Sequence, residues 1–235
     1  HLSIRRQRQM CIRDSRKITT LLFYEKGDAE MKSIETMNQI NCSKHVAVMR
    51  TEDKQEFIDI ANIIIEEGLE IIEVTLTTPQ AMDIITTLSQ KDNALIGAGT
   101  VLDSVSARMA ILNGAKFIVS PSFDKETAQV ANLYDVPYVP GVMTVKEMIE
   151  AMKYGCKVLK LFPATQFTPS SIKDFRGPLP TTEFIPTGGV GKKNHQEWLD
   201  AGSFAVGIGS EITKVYEQYG AEGLKQYVSE LKGGE

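Results

Sequence analysis

Two ionisable residues interrupt runs that are otherwise apolar: Glu73 in IIEVT (71–75) and Lys160 in VLKLF (158–162). A charged group among aliphatic neighbours costs free energy unless it is paired or put to use. A lysine in that setting is a candidate nucleophile toward a ketone, through a Schiff base. A carboxylate within reach of it is a candidate proton shuttle, directly or through water. The plainer readings are an internal ion pair between the two, or a lysine whose head reaches a solvent rim. Together, each near the end of its run, the two residues are more informative than either alone.

Further candidates lie where apolar runs end. PTGGVG (186–191) and GIGS (207–210) are Gly-rich turns one unit apart. Backbone N–H groups approach an anion closely at such turns, which makes the two turns together a candidate phosphate site. GAGT (97–100) offers the Thr100 hydroxyl, with a plain turn as the alternative. Arg50, directly after HVAVM (45–49), is a fixed cation able to grip a carboxylate or phosphate bidentately, and simple surface solvation is its competing reading. His45 precedes a strand and His195 sits in a polar helix, so both are expected to be structural or exposed. Met143, Met148 and Met152 have helical spacing and are expected to fill core.

What must position these residues is an alternation of short β-branched runs with longer amphipathic stretches. The predicted strands are 45–49, 70–75, 94–99, 116–120, 137–140, 157–162, 183–187 and 203–209. The predicted helices are 53–67, 79–90, 103–113, 124–134, 144–154, 169–175, 192–201 and 211–231. Gly68, Gly114, Gly155 and Gly202 suit helix C-caps, and Thr51, Pro79, Asp103 and Asp124 suit helix starts. Such a count implies an α/β chain folded as a (β/α)8 TIM barrel, with MKSIETMNQIN (31–41) as an extra N-terminal helix under the barrel. An open doubly wound sheet is the weaker alternative, because no Gly-rich dinucleotide turn follows the first strand. In the barrel, catalysis sits at the carboxyl ends of the strands, and the turns after strands seven and eight often form a phosphate site.

The 26 basic and 30 acidic side chains give a net charge of −4, which argues against a nucleic-acid binder with its basic face. No apolar run is long enough for a bilayer span, since IANIII (60–65) closes at Glu66. Cys11, Cys42 and Cys156 are odd in number, far apart and without metal-ligand spacing. They read as reduced thiols of a cytoplasmic protein that needs no metal and no cofactor. Residues 1–30 carry seven Lys or Arg against four Asp or Glu, so the remainder is more acidic than the whole. RRQRQMCIRDS (5–15) resembles a translated sequencing-adapter remnant, and a transit peptide fits less well. The expectation is a non-native or disordered extension over 1–30, a native start at Met31 and one domain over 31–235.

AVMR (47–50), EVTLTTP (73–79), GAGTVL (97–102), SPS (120–122), PGVMT (140–144), KLFPA (160–164), PTGGV (186–190) and AVGIGS (205–210) resemble the 2-keto-3-deoxy-6-phosphogluconate / 4-hydroxy-2-oxoglutarate aldolases. The resemblance implies a metal-independent class I aldolase of (β/α)8 fold, a homotrimer acting on a phosphorylated keto sugar acid and yielding pyruvate. By position in KLFPA, Lys160 looks like the Schiff-base lysine; by position in EVTL, Glu73 looks like the proton acceptor and donor. Thr100 matches a contact to the pyruvate carboxylate, and Thr187, Gly188, Gly189, Gly209 and Ser210 match phosphate-binding turns. The chain departs from the family at Thr77, where well-studied members have a carboxylate-binding arginine, and at Thr165, where a glutamate is frequent. Arg50, Thr77 and Thr100 are then the candidates for holding the carboxylate. The expected reaction is reversible cleavage of 2-dehydro-3-deoxy-phosphogluconate to pyruvate and glyceraldehyde 3-phosphate. The alternatives are 4-hydroxy-2-oxoglutarate cleavage to pyruvate and glyoxylate or, more distantly, a phosphosugar isomerase or epimerase, or a non-enzymatic phosphosugar-binding barrel.

Overall fold

The computed structural model describes residues 32–233; the segment 1–30, Cys11 and the expected start at Met31 lie outside them. The apolar runs form strands and the amphipathic stretches form helices, alternating except at Pro140, where two short strands follow one another. In chain order these are α1 (Lys32–Ser43), β1 (His45–Met49), α2 (Lys54–Glu66), β2 (Ile71–Thr75), α3 (Ala81–Leu88), β3 (Leu95–Gly99), α4 (Ser104–Leu112), β4 (Ile118–Val119) and α5 (Lys125–Leu133). Then follow β5 (Tyr138–Val139), β6 (Gly141–Val142), α6 (Val145–Lys153), β7 (Val158–Leu161), a 3-10 turn (Ala164–Gln166), α7 (Ser171–Arg176), β8 (Glu183–Pro186), α8 (His195–Asp200), β9 (Val206–Ile208) and α9 (Ser210–Leu231).

Helix boundaries follow local chemistry. Asp103 and Asp124 cap α4 and α5 as expected, each accepting from the N–H three residues on. At α2 the cap is Asp53, not Thr51, whose buried hydroxyl instead donates to the Asp53 carbonyl at 2.7 Å. Pro79 precedes α3 by two residues, and the cap position, Gln80, makes no side-chain bond. The four helix-terminating glycines all have the positive φ that such caps require.

All strand pairs are parallel. Six strands run in the order β5-β4-β3-β2-β1-β9 and three in the order β6-β7-β8, giving a curled sheet in two parts. The run expected at 137–140 is realised as two short strands on either side of Pro140, because proline has no N–H to give the ladder. The Pro140 carbonyl still accepts from the Lys160 N–H at 2.9 Å. Beyond the end of β8, Thr187 bridges Gly207 of β9.

Side chains alternate between two cores, as the two-residue period of a strand demands. One face supplies Val46, Ile71, Leu95, Phe117, Val139 and Ile185, which pack with Ile40 of α1. Several of these begin their strands, so α1 lies across the amino ends of the sheet. The other face, including Ile72, Val74, Ile96, Leu159 and Phe184, packs against the helices. From α2 it receives Phe57, Ile60, Ala61, Ile64 and Ile65, and from α3 Ala81, Ile84, Ile85 and Leu88, the stripe of a 3.6-residue period. Each large side chain buried this way is worth about 1.5–3 kcal/mol.

His45 and His195 are both buried and hydrogen-bonded to each other, Nε2 to Nδ1 at 3.0 Å, with His45 Nδ1 3.2 Å from the Ser43 carbonyl. Burial, then the neighbouring His195, lowers the His45 pKa to about 4. Met148 and Met152 pack into the core as expected, but Met143 is exposed, because it lies in the turn ahead of α6 instead of on the helix's inner face. Among the described residues no helix is long and apolar enough to cross a membrane.

Candidate active site

Strand register brings the two interrupting charges together. Glu73 stands level with Val48 of β1 and Gly97 of β3, and Lys160 level with Gly141 of β6 and Ile185 of β8. From these separate strands the side chains meet inside the curl, with Lys160 Nζ 3.4 Å from Glu73 Oε1. Only 8% of the lysine side chain and 3% of the glutamate side chain are exposed. The Phe162 ring lies 5.2 Å from the ammonium, within cation–π range. A single long contact repays little of the cost of taking two charges out of water, so the pair is a poor stabilising device. A buried pair of that kind inside a cavity points to chemistry.

The cavity is lined by Glu73, Lys160, Thr187 and Gly207, with an apolar floor that includes Ile40, Val46 and Phe117. Glycines make its shape. A Cβ on Gly99 would lie 2.0 Å from Glu73 Oε1, and one on Gly97 would lie 2.4 Å from the Phe117 ring. The GAG of β3 is therefore the space in which the carboxylate rests, a role invisible in its linear spacing.

The remaining candidates stand where strands end. Arg50 follows β1, is exposed and forms no ion pair among the described residues. Thr77 follows β2, and its hydroxyl donates to Thr75 Oγ1 at 3.3 Å. Thr100, directly after β3, has φ +56. A β-branched residue there is strained by about 1–3 kcal/mol, a cost commonly held at functional sites. None of these three is hydrogen-bonded to Lys160 or Glu73.

The two Gly-rich turns lie side by side through the Thr187–Gly207 bridge. Thr187 is buried and its hydroxyl donates weakly to the Ile185 carbonyl at 3.4 Å. Gly188 and Gly189 have φ +86 and +82, which explains the doublet. Gly209 caps α9 without any side-chain bond and Ser210 is the exposed first residue, leaving first-turn N–H groups uncapped by a side chain. Asn194, which linear spacing did not single out, spans this turn: its Oδ1 accepts from Gly191 N–H and its Nδ2 donates to the Gly189 carbonyl, each at 3.0 Å. Its signal was present as an Asn close behind a glycine run. Among the described residues no group of three or more His, Cys, Asp or Glu side chains is placed to hold a metal ion.

A parallel α/β fold with a buried lysine–carboxylate pair near the carboxyl ends of its strands defines the class: an enzyme of carbon–carbon or carbonyl chemistry. A sequence profile described as "Aldolase: KDPG and KHG aldolase" matches residues 36–225, and the chain belongs to this family of carbon–carbon lyases. Among similar proteins, 2-dehydro-3-deoxy-6-phosphogalactonate aldolase of Escherichia coli is 32% identical over 170 residues, 71% of this chain and 83% of that one. The 2-dehydro-3-deoxy-phosphogluconate aldolase of Pseudomonas aeruginosa is 36% identical over 154 residues, 65% of this chain and 70% of the relative. The crystal structure of KDPG aldolase from Legionella pneumophila, with pyruvate captured as a covalent carbinolamine, superposes with a TM-score of 0.75. It is 28% identical, and the match covers 82% of this chain and 96% of that one.

Proposed function

We propose that the protein cleaves a 2-keto-3-deoxy-6-phospho sugar acid reversibly to pyruvate and glyceraldehyde 3-phosphate through a Schiff base on Lys160. The observation that carries this reading is the buried 3.4 Å contact between Lys160 Nζ and Glu73 Oε1. Glu73 lies beside the ammonium and takes its proton, the free amine adds to the C2 ketone, and Glu73 returns that proton to the carbinolamine hydroxyl, which leaves as water to form an iminium. Glu73, directly or through water, takes the proton of the C4 hydroxyl. The C3–C4 electron pair flows into the iminium, the aldehyde departs, and an enamine of pyruvate remains. Glu73 returns its proton to C3, and water hydrolyses the resulting iminium to release pyruvate and regenerate the lysine. Arg50, Thr77 and Thr100 hold the carboxylate at the rim; Thr187, Gly188, Gly189, Gly209 and Ser210 hold the distal phosphate.

The two sheet segments act as one closed (β/α)8 barrel, joined across Pro140 and at the Thr187–Gly207 bridge, with α1 as its lower cap. The working form is a homotrimer. In support, α4 exposes Val105, Met109 and Leu112 at helical spacing, with Leu102 ahead of it and Leu133 on the adjoining α5. A stripe of that kind is unusual for a surface facing only water. The decisive experiment for the mechanism is borohydride reduction in the presence of pyruvate followed by peptide mapping. A pyruvate-derived adduct on Lys160, absent from Lys160→Ala, is expected; cleavage at the normal rate by Lys160→Ala removes the Schiff-base mechanism.

A further inference from the structure

The turn that takes the phosphate in the reading above is held from behind by a carboxylate. Glu211, second residue of α9, accepts through Oε2 from the Lys192 N–H at 2.9 Å and from the Tyr227 hydroxyl at 3.0 Å. Tyr227 is buried on the far side of the break that Gly220 makes in α9. Its hydroxyl is pushed well above the usual tyrosine range, by burial first and then by the Glu211 charge, and so remains a donor. Gly191 leaves the room: a Cβ there would lie 1.8 Å from Glu211 Oε2. Asn194 closes the same turn from within, between Gly189 and Gly191. Residues 189–194 are thus tied both to themselves and to α9, whose first turn begins at Ser210. A carboxylate this near an anion site repels the anion unless its charge is engaged, and here one oxygen is shared by two donors.

We propose that Glu211 is a positioning residue that sets preference for phosphorylated substrate by fixing the Gly188–Gly191 turn against the start of α9. The proposal rests on the reading that these turns bind the phosphate. It acts on substrate discrimination and not on the reacting atoms, because Glu211 hydrogen-bonds to the turn and to Tyr227, not to Lys160 or Glu73.

Steady-state kinetics test it on wild type, Glu211→Ala, Glu211→Gln and Gly191→Ala, each with the phosphorylated keto-deoxy acid and with its unphosphorylated analogue. Misplacement by about 1 Å is costly, so Glu211→Ala is expected to lower kcat/KM for the phosphorylated acid by about ten-fold or more, chiefly through KM. The unphosphorylated analogue should change by less than about two-fold. Glu211→Gln keeps an acceptor for Lys192 and should restore discrimination, while Gly191→Ala, which displaces the carboxylate without deleting it, should reproduce the loss. Equal losses on both substrates, an unaltered Glu211→Ala, or failure of glutamine to rescue overturns the role of Glu211. A wild-type enzyme indifferent to the phosphate and not inhibited by inorganic phosphate overturns the phosphate reading itself. Preference in wild type that survives Glu211→Ala and Gly191→Ala overturns only the positioning role.

Discussion

Gly99→Ala places a single methyl group where the Glu73 carboxylate now lies. The new Cβ would stand 2.0 Å from Oε1 and 2.5 Å from both Cδ and Cγ, where ordinary contact begins near 3.4 Å. The carboxylate oxygen must therefore retreat by about 1.4 Å, a displacement of the size that costs a reaction about 100-fold. Gly99 is a β3 residue without positive φ, so alanine suits the backbone, and overpacking costs about 1–3 kcal/mol of stability. The expected result is a folded enzyme whose kcat falls about 100-fold, equivalent to about 2.7 kcal/mol of barrier, by continuous assay of pyruvate release. Borohydride trapping on Lys160 should persist, since the lysine itself is untouched. Glu73→Gln alone should lose about 10²–10⁴-fold, the usual worth of a positioned acid–base group. The double variant Gly99→Ala/Glu73→Gln should lose no more than Glu73→Gln, because both changes disable one function. Multiplicative losses in the double variant, or wild-type turnover by Gly99→Ala, would falsify the reasoning that β3 exists to seat this carboxylate.

Other outcomes follow from charge, burial and surface. Ser210→Asp adds a negative charge at the proposed phosphate turn and should lower kcat/KM for phosphorylated substrate selectively; equal values on both substrates, unchanged by the added charge, make the two turns purely structural. His45 has its folded pKa lowered from 6.5 to about 4, so the unfolded chain binds the proton first. The stability it contributes is complete above pH 6.5 and is lost as pH falls toward 4, by about 3 kcal/mol in all. Urea unfolding between pH 7 and 4 should show this slope, and His45→Asn should flatten it; an unchanged slope refutes the assignment to His45. Light scattering should give three times the chain mass, and Val105→Glu should dissociate the assembly; a monomeric wild type refutes the use made of the α4 stripe.

The buried pair of Lys160 and Glu73 was legible because a charge inside an apolar strand is visible in one dimension. So was the alternation of strands and helices, since burial imposes its period on the sequence. What escaped depended on neighbours distant in the chain. Gly99 belongs to Glu73, Glu211 to Lys192 and Tyr227, and His45 to His195, 150 residues away. Thr51 looked like a cap because it is a hydroxyl near a helix start, yet Asp53 sits closer and accepts from Glu56. Pro140 did not announce that it would divide its strand, because a proline at a strand end and one at a strand break look alike in sequence. Thr77 bonds to the Thr75 hydroxyl, and among the described residues no charged side chain hydrogen-bonds to it.

Ile40 of α1 closes the floor of the chamber in which Lys160 stands. In the closed barrel proposed above, with α1 across its amino end, the rim at the carboxyl ends of the strands is the doorway, and traffic through it is sequential. On the mechanism proposed here, pyruvate stays tethered to the lysine after the carbon–carbon bond breaks, while the aldehyde is free. The aldehyde must leave by the way the sugar acid came in before pyruvate can follow. In the reverse direction pyruvate must arrive first, since an aldehyde lodged in the doorway would bar the ketone from the lysine beneath it.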